Sequence, residues 1–153
     1  MKIIVASDHA GFSYKSILIE ALKEEAYEVI DLGAHSEEST DDYPDYAIKA
    51  AQALLKKEAE RAILICGSAV GISVAANKFK GVRAGVCHDT YSAHQSVEHD
   101  NANVLCLGQR VIGIALAKDI VQAFLKAEFS NEPRHIRRLE KVAAIENNNM
   151  KNF

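Results

Sequence analysis

Five short apolar runs, each followed by a longer segment with helical spacing, constrain this chain more than any other feature. The clearest is Arg61–Cys66, RAILIC, apolar at every position after the first. A strand without polar alternation is buried on both faces, as in a parallel sheet covered by helices. Lys2–Ser7, Glu28–Leu32, Val82–Cys87 and Val104–Leu107 are the other candidate strands. Between them the spacing of apolar residues predicts helices over Gly11–Glu25, from Asp42 or Asp45 to about Lys56, and over Gly71–Lys78, Asp89–Glu98 and Ile112–Lys126. Ile17, Leu18, Ala21 and Leu22 share a face of the first, and Leu116, Ile120 and Phe124 point inward from the last. Such alternation implies right-handed crossovers. The expected fold is therefore a single α/β domain, a three-layer αβα Rossmann-like sandwich around a five-stranded parallel sheet. Beyond Ser130–Pro133, Arg134–Glu146 reads as a C-terminal helix and 147–153 as a frayed polar tail.

A chain of 153 residues can bury roughly 70% of its unfolded surface as one domain. It then needs no disulfide staple. The three cysteines, Cys66, Cys87 and Cys106, are odd in number and not closely spaced, which argues against a disulfide framework. The net charge of −3 and a pI near 6.1 lack the basic excess of a nucleic-acid binder, so any anionic ligand needs a local positive site. The N-terminal run Ile3–Ala6 is too short for a signal-peptide core or a membrane span. A cytoplasmic protein with no membrane partner is expected.

Ligands of open parallel sheets bind beyond the carboxyl ends of the strands. The segments there are Ser7–Gly11, Cys66–Ser73, Cys87–Asp89 and Gly108–Arg110, and they are rich in polar and reactive residues. In CGSAVGIS, two glycines bracket a turn into a helix, and backbone N–H groups at such a start can hold an anion. A cysteine beside them suits a base or nucleophile, although a small buried core residue fits Cys66 equally well on spacing alone. The stretch lacks both the GxGxxG and the P-loop arrangement, so NAD or ATP binding gains no support. Asp8-His9 suits phosphate gripping or proton transfer, or simply a helix cap with an exposed neighbour. His99-Asp100-Asn101 offers an acid or base on what also reads as an ordinary turn. Arg134, His135, Arg137 and Arg138 form a basic cluster in which Arg134 and Arg138 share a helix face. Such a pair can clamp phosphate or form a solvated face paired with Glu140 or Glu146. The six histidines show no metal-ligand spacing.

Taken in order, SDHAGF, DYPDYA at Asp42–Ala47, ICGSAVGISVAANKFKGVRAGVC at Ile65–Cys87, EHDNANVLCLGQRVIG at Glu98–Gly113 and RHIRRLEKVAAIE at Arg134–Glu146 resemble type B ribose-5-phosphate isomerase. The wider group includes galactose-6-phosphate isomerase subunits. The resemblance spans nearly the whole chain. It implies an aldose–ketose isomerase, without metal or other cofactor, working on a small sugar phosphate through a cis-enediol(ate). Cys66 would carry the proton between C1 and C2, with Ser68 beside it and Gly67–Gly71 steadying the oxyanion. His99, with Asp8, would open the sugar ring. His9, Arg110, Arg134 and Arg138 would hold the phosphate, and Tyr43 would line the sugar site. The resemblance also implies a homodimer or dimer of dimers whose sites draw residues from two subunits, with the arginine helix reaching across.

The cysteine matches the cysteine-base branch of that group, and GISVAANK holds no alternative glutamate. Asp100 departs from the Asn usual after the histidine. An ionised Asp donates no hydrogen bond, so Asn101 or a backbone N–H takes that role. Ribose 5-phosphate and ribulose 5-phosphate are the expected pair, within the non-oxidative pentose phosphate pathway. A six-carbon phosphate such as allose 6-phosphate or galactose 6-phosphate is the near alternative. A non-catalytic phosphosugar sensor is the alternative from another class.

Overall fold

The computed structural model describes residues 1–38 and 40–151. Strands β1 (Lys2–Ser7), β2 (Glu28–Asp31), β3 (Arg61–Cys66), β4 (Ala84–Val86) and β5 (Val104–Gly108) form one sheet in the order β2-β1-β3-β5-β4. Every pairing is parallel. The helices are α1 (Phe12–Glu24), α2 (Tyr43–Leu55), α3 (Val70–Ala76), α4 (Thr90–Asp100), α5 (Ile114–Lys126) and α6 (Pro133–Asn149), with a 3₁₀ turn at His9–Gly11. This is the expected Rossmann-like sandwich.

Alternating strand residues feed two separate cores. Ile3, Val5, Ile63, Ile65, Leu105 and Leu107 pack with α1, α4 and α5. Ile4, Ala6, Leu64, Cys66 and Cys106 pack with α2 and α3 on the other face. The alanines of α2, Ala47, Ala50 and Ala51, are buried there and let that helix lie close to the sheet. From β1 the chain moves outward to β2, then crosses back to β3 on the other side of β1. That reversal opens a crevice at the carboxyl ends of β1 and β3. Register brings Ser7 opposite Ile65, and Cys66 opposite Gly108.

Several local expectations are corrected. Ile17 and Leu116 are exposed, and Ile19 is buried in place of Ile17. Strand β4 is shorter than Val82–Cys87 because it is an edge strand paired with β5 alone. Helix α6 runs to Asn149, so the first three residues of the expected frayed tail are helical; Asn152 and Phe153 lie outside the described residues. Asp42 occupies the N-cap position of α2, but its side chain makes no capping hydrogen bond. Lys15 is buried at 2% exposure, with Nζ 2.8 and 2.7 Å from the two carboxylate oxygens of Asp31. Asp31 in turn accepts the Gly33 N–H at 2.9 Å. This pair ties α1 to the loop after β2, and desolvation makes its net contribution depend on both partners being present. Among the described residues no helix is long and apolar enough to cross a membrane.

Candidate active site

The site begins with a turn pressed against a strand. Asp8, buried, caps the 3₁₀ turn by accepting the Gly11 N–H at 3.2 Å. A Cβ on Gly11 would stand 2.5 Å from the Ile65 carbonyl oxygen, so only glycine lets the turn lie this close to β3. The contact sets Asp8 and His9 beside Cys66. At the end of β3, the Cys66 Sγ accepts the Ala69 N–H at 3.1 Å. Ala69 adopts the left-handed conformation (φ 71°), which turns the chain sharply into α3.

Two side chains close over this loop. Arg110 is anchored by its own N–H, which donates to the Gly67 carbonyl at 3.0 Å, and the Gln109 N–H donates to the Cys66 carbonyl at 2.9 Å. Its guanidinium lies over Gly67, where a Cβ would stand 3.0 Å from Nη1. The Tyr43 ring covers Gly71, where a Cβ would stand 2.7 Å from Cζ. Both glycines thus leave room for close approach by side chains, beyond serving the turn. The resulting cavity, about 290 Å³, is lined by Asp8, His9, Tyr43, Cys66, Ser68 and Arg110 together with Gly67 and Gly71. A larger hollow of about 590 Å³ lies at the amino ends of the strands among Lys2, Lys57, Glu58 and Glu60. Its lining has no cysteine, serine or histidine, and Lys2 there is paired with Glu28 at 2.7 Å.

The electrostatics separate the carboxyls. Burial pushes the Asp8 carboxyl up, against the opposing pull of His9 and the Gly11 N–H. Burial would also raise Asp41, but hydrogen bonds from the His9 ring and backbone and from the Tyr46 hydroxyl outweigh it and hold that carboxyl low. Tyr46 is pushed up to about 12 by burial and by Asp41. Burial also raises the thiols of Cys87 and Cys106, neither of which lines the cavity. Among the three cysteines, Cys66 alone borders it.

Five residues singled out in the sequence are elsewhere in the chain. His99, Asp100, Asn101, Arg134 and Arg138 do not line the Cys66 cavity. A crossover helix runs antiparallel to its strands, so the last turn of α4 lies by their amino ends, at the far rim from Cys66. His99 is there, stacked on His135 with ring centroids 4.1 Å apart. Asn101 is the left-handed C-cap of α4 (φ 46°), and its carbonyl accepts Arg83 Nε at 2.8 Å. Helix α6 begins beside them, where the Ser130 N–H donates to the Glu98 carbonyl at 3.0 Å. Arg134 pairs with Glu132 at 2.9 Å, not with Glu140 or Glu146.

The family described as ribose/galactose isomerase matches residues 3–142. The chain belongs to the ribose/galactose isomerase family. Ribose-5-phosphate isomerase B of Escherichia coli (strain K12) is 49% identical over 145 residues, covering 95% of this chain and 96% of that one. D-erythrulose-4-phosphate isomerase 2 of Mycolicibacterium smegmatis is 40% identical over 148 residues, covering 95% and 97%. The solved ribose-5-phosphate isomerase B of Clostridium thermocellum superposes with a TM-score of 0.94 at 49% identity, covering 97% of this chain and 99% of that one.

For this member of the ribose/galactose isomerase family, sequence reasoning missed Asp41. Its Oδ1 lies 2.5 Å from His9 Nδ1 and accepts the His9 backbone N–H at 3.1 Å, and its Oδ2 accepts the Tyr46 hydroxyl at 2.9 Å. The available signal was the acidic doublet Asp41-Asp42 ahead of Tyr43-Pro44. Spacing assigns such a doublet to helix capping, and only the folded loop shows which carboxylate meets His9.

Proposed function

We propose that this protein interconverts ribose 5-phosphate and ribulose 5-phosphate through a cis-enediol(ate), with Cys66 as the base. The observation that carries the reading is the Cys66 sulfur on one cavity with His9 and Arg110, receiving the Ala69 N–H at 3.1 Å. An anionic thiolate accepts such a donor more strongly than a neutral thiol. The thiolate takes the proton from C2 of the open aldose. The C–H electron pair becomes the C1–C2 double bond of the enediolate, and the former carbonyl oxygen at C1 takes up the charge. The hydroxyl proton on O2 passes to O1, and return of the Cys66-held proton to C1, with the carbonyl re-formed at C2, completes the ketose. Backbone N–H groups of the Gly67–Gly71 loop steady the oxyanion, where each donor is worth about 3 kcal/mol of barrier. Ser68 lies beside the thiol and orients the reacting hydroxyls.

His9 and Arg110 grip the phosphate from the same subunit, and Tyr43 lines the sugar. A second copy supplies His99, Asp100 or Asn101, Arg134 and Arg138. This division is favoured because those five stand at the opposite rim of their own chain, while Ile136, Val142 and Ile145 leave an apolar face of α6 exposed. His99 then opens the furanose with Asp8, a buried carboxyl raised by desolvation. The non-oxidative pentose phosphate pathway and a cytoplasmic setting belong to the same reading.

The test is turnover of ribose 5-phosphate by purified protein in deuterated water, followed as ketose formation and deuterium at the reacting carbon. Cys66→Ala is expected to lower kcat by at least about a thousandfold while the circular dichroism stays unchanged. Retained turnover removes Cys66 from the base role, and tight binding without exchange favours the sensor reading. A second reading has a specific source: the M. smegmatis relative named for D-erythrulose 4-phosphate is 40% identical. Competing four-, five- and six-carbon phosphates at equal concentration ranks them by kcat/KM.

A further inference from the structure

Asp41 stands outside the cavity lining yet holds one of its walls in place. Its two oxygens meet three groups from two parts of the chain: the His9 Nδ1 and backbone N–H from the turn after β1, and the Tyr46 hydroxyl from α2. Tyr46 is itself confined. Its Cε1 lies 3.0 Å from where a Cβ on Gly33 would stand, and Lys49 Nζ sits 5.0 Å from its ring centroid. The Asp41 side chain is 19% exposed and the His9 side chain 29%, so neither is free to turn in bulk water.

An ionised carboxylate only accepts hydrogen bonds. The His9 nitrogen that meets it, Nδ1, must therefore carry a proton. That leaves Nε2 as the ring nitrogen available to the cavity that His9 lines. Carboxylate–imidazole pairs fix the tautomer and ring orientation of ligand-holding histidines, as at metal sites, and the nitrogen left facing a ligand can then serve an anion as a hydrogen-bond donor when it carries a proton. We propose that Asp41 is a positioning residue for His9, fixing Nδ1 as a protonated nitrogen and aiming Nε2–H at the phosphate of the bound sugar. The proposal rests on the reading that His9 grips that phosphate.

The experiment has a kinetic arm and a ligand-free arm. Asp41→Asn keeps the size of the side chain and removes its charge. It is expected to raise KM for ribose 5-phosphate about tenfold, the lower end of the cost of removing such a partner from a metal-bound histidine, with kcat changed less than about threefold because the proton transfer at Cys66 is untouched. In a His9→Ala background the same substitution should change KM by less than about twofold, since nothing remains for it to position. An unchanged KM in the single variant, or an equal rise in both backgrounds, overturns the proposal. In the ligand-free arm, ¹⁵N spectra of the His9 ring report its protonation directly. The wild-type ring should show a protonated Nδ1, and Asp41→Asn should lose that preference. Titration with inorganic phosphate should then show about tenfold weaker binding. Should the wild-type protein turn over no sugar phosphate, the isomerase reading fails while these spectra and the phosphate titration still decide the role of Asp41. A wild-type ring with Nδ1 unprotonated refutes it.

Discussion

Gly11→Ala probes the contact that builds the site. The added Cβ would stand 2.5 Å from the Ile65 carbonyl oxygen, 2.6 Å from its carbon and 2.8 Å from its Cγ2, against an ordinary contact of 3.4 Å or more. The closest obstacle is backbone in the middle of a paired parallel sheet, so the turn must move, by roughly 1 Å to restore ordinary contact. Overpacking of this kind costs about 1–3 kcal/mol. For a chain of this size that lowers the melting temperature by about 2–4 °C per kcal/mol, hence roughly 4–8 °C for a cost of about 2 kcal/mol. The turn also carries Asp8 and His9, and a 1 Å misplacement of positioned groups can cost about a hundredfold in rate. Calorimetry and kcat/KM on the same preparation read both effects. Gly113→Ala is the control, because a Cβ there meets nothing within 4 Å and its φ of −73° suits alanine. It should keep full activity and lose no more than about 1 kcal/mol of stability. A Gly11→Ala protein with wild-type melting temperature and activity would refute the close packing of the turn on β3.

Asp8→Asn should raise stability at pH 7 and lower turnover. The folded state raises the Asp8 carboxyl through burial, so this group's favourable contribution is fully present below its unfolded value, near 3.9, and is lost as pH rises through the higher folded value. The gain from Asn should therefore vanish in denaturant melts at about pH 3, and a gain that persists there contradicts the burial argument. Sharing of sites between subunits is tested by mixing inactive Cys66→Ala and Arg134→Ala proteins after dissociation. Random re-pairing of a symmetric dimer gives one intact site in half the dimers, or about a quarter of wild-type turnover. Turnover no greater than that of the two separate proteins would place Arg134 outside the shared site.

Much of the architecture was legible because parallel strands buried on both faces need uninterrupted apolar runs, and Arg61–Cys66 and Lys2–Ser7 match the observed β3 and β1 residue for residue. Helical periodicity was less certain about single positions. Ile17 and Ile19 are two residues apart, some 200° around a helix, and only the packing of α1 on the sheet selects Ile19 as the buried one. Lys15 showed the opposite limit. A lysine is seldom fully buried, yet the structure seats it against Asp31 at the end of β2.

The local sequence determined which chemistry the strand ends can offer: a thiol after β3, a carboxyl and an imidazole after β1, a guanidinium after β5. Tertiary structure decided which of these meet. The return of the chain across β1 to β3 opens the crevice, and Gly11 lets the β1 turn close on Ile65 so that Asp8, His9, Cys66 and Arg110 share one cavity. The antiparallel run of α4 carries His99 to the opposite rim. Adjacency along a chain encodes neighbours within a turn or two. Distances between strand ends, and the choice of Asp41 over Asp42 as the partner of His9, depend on how separately folded elements pack.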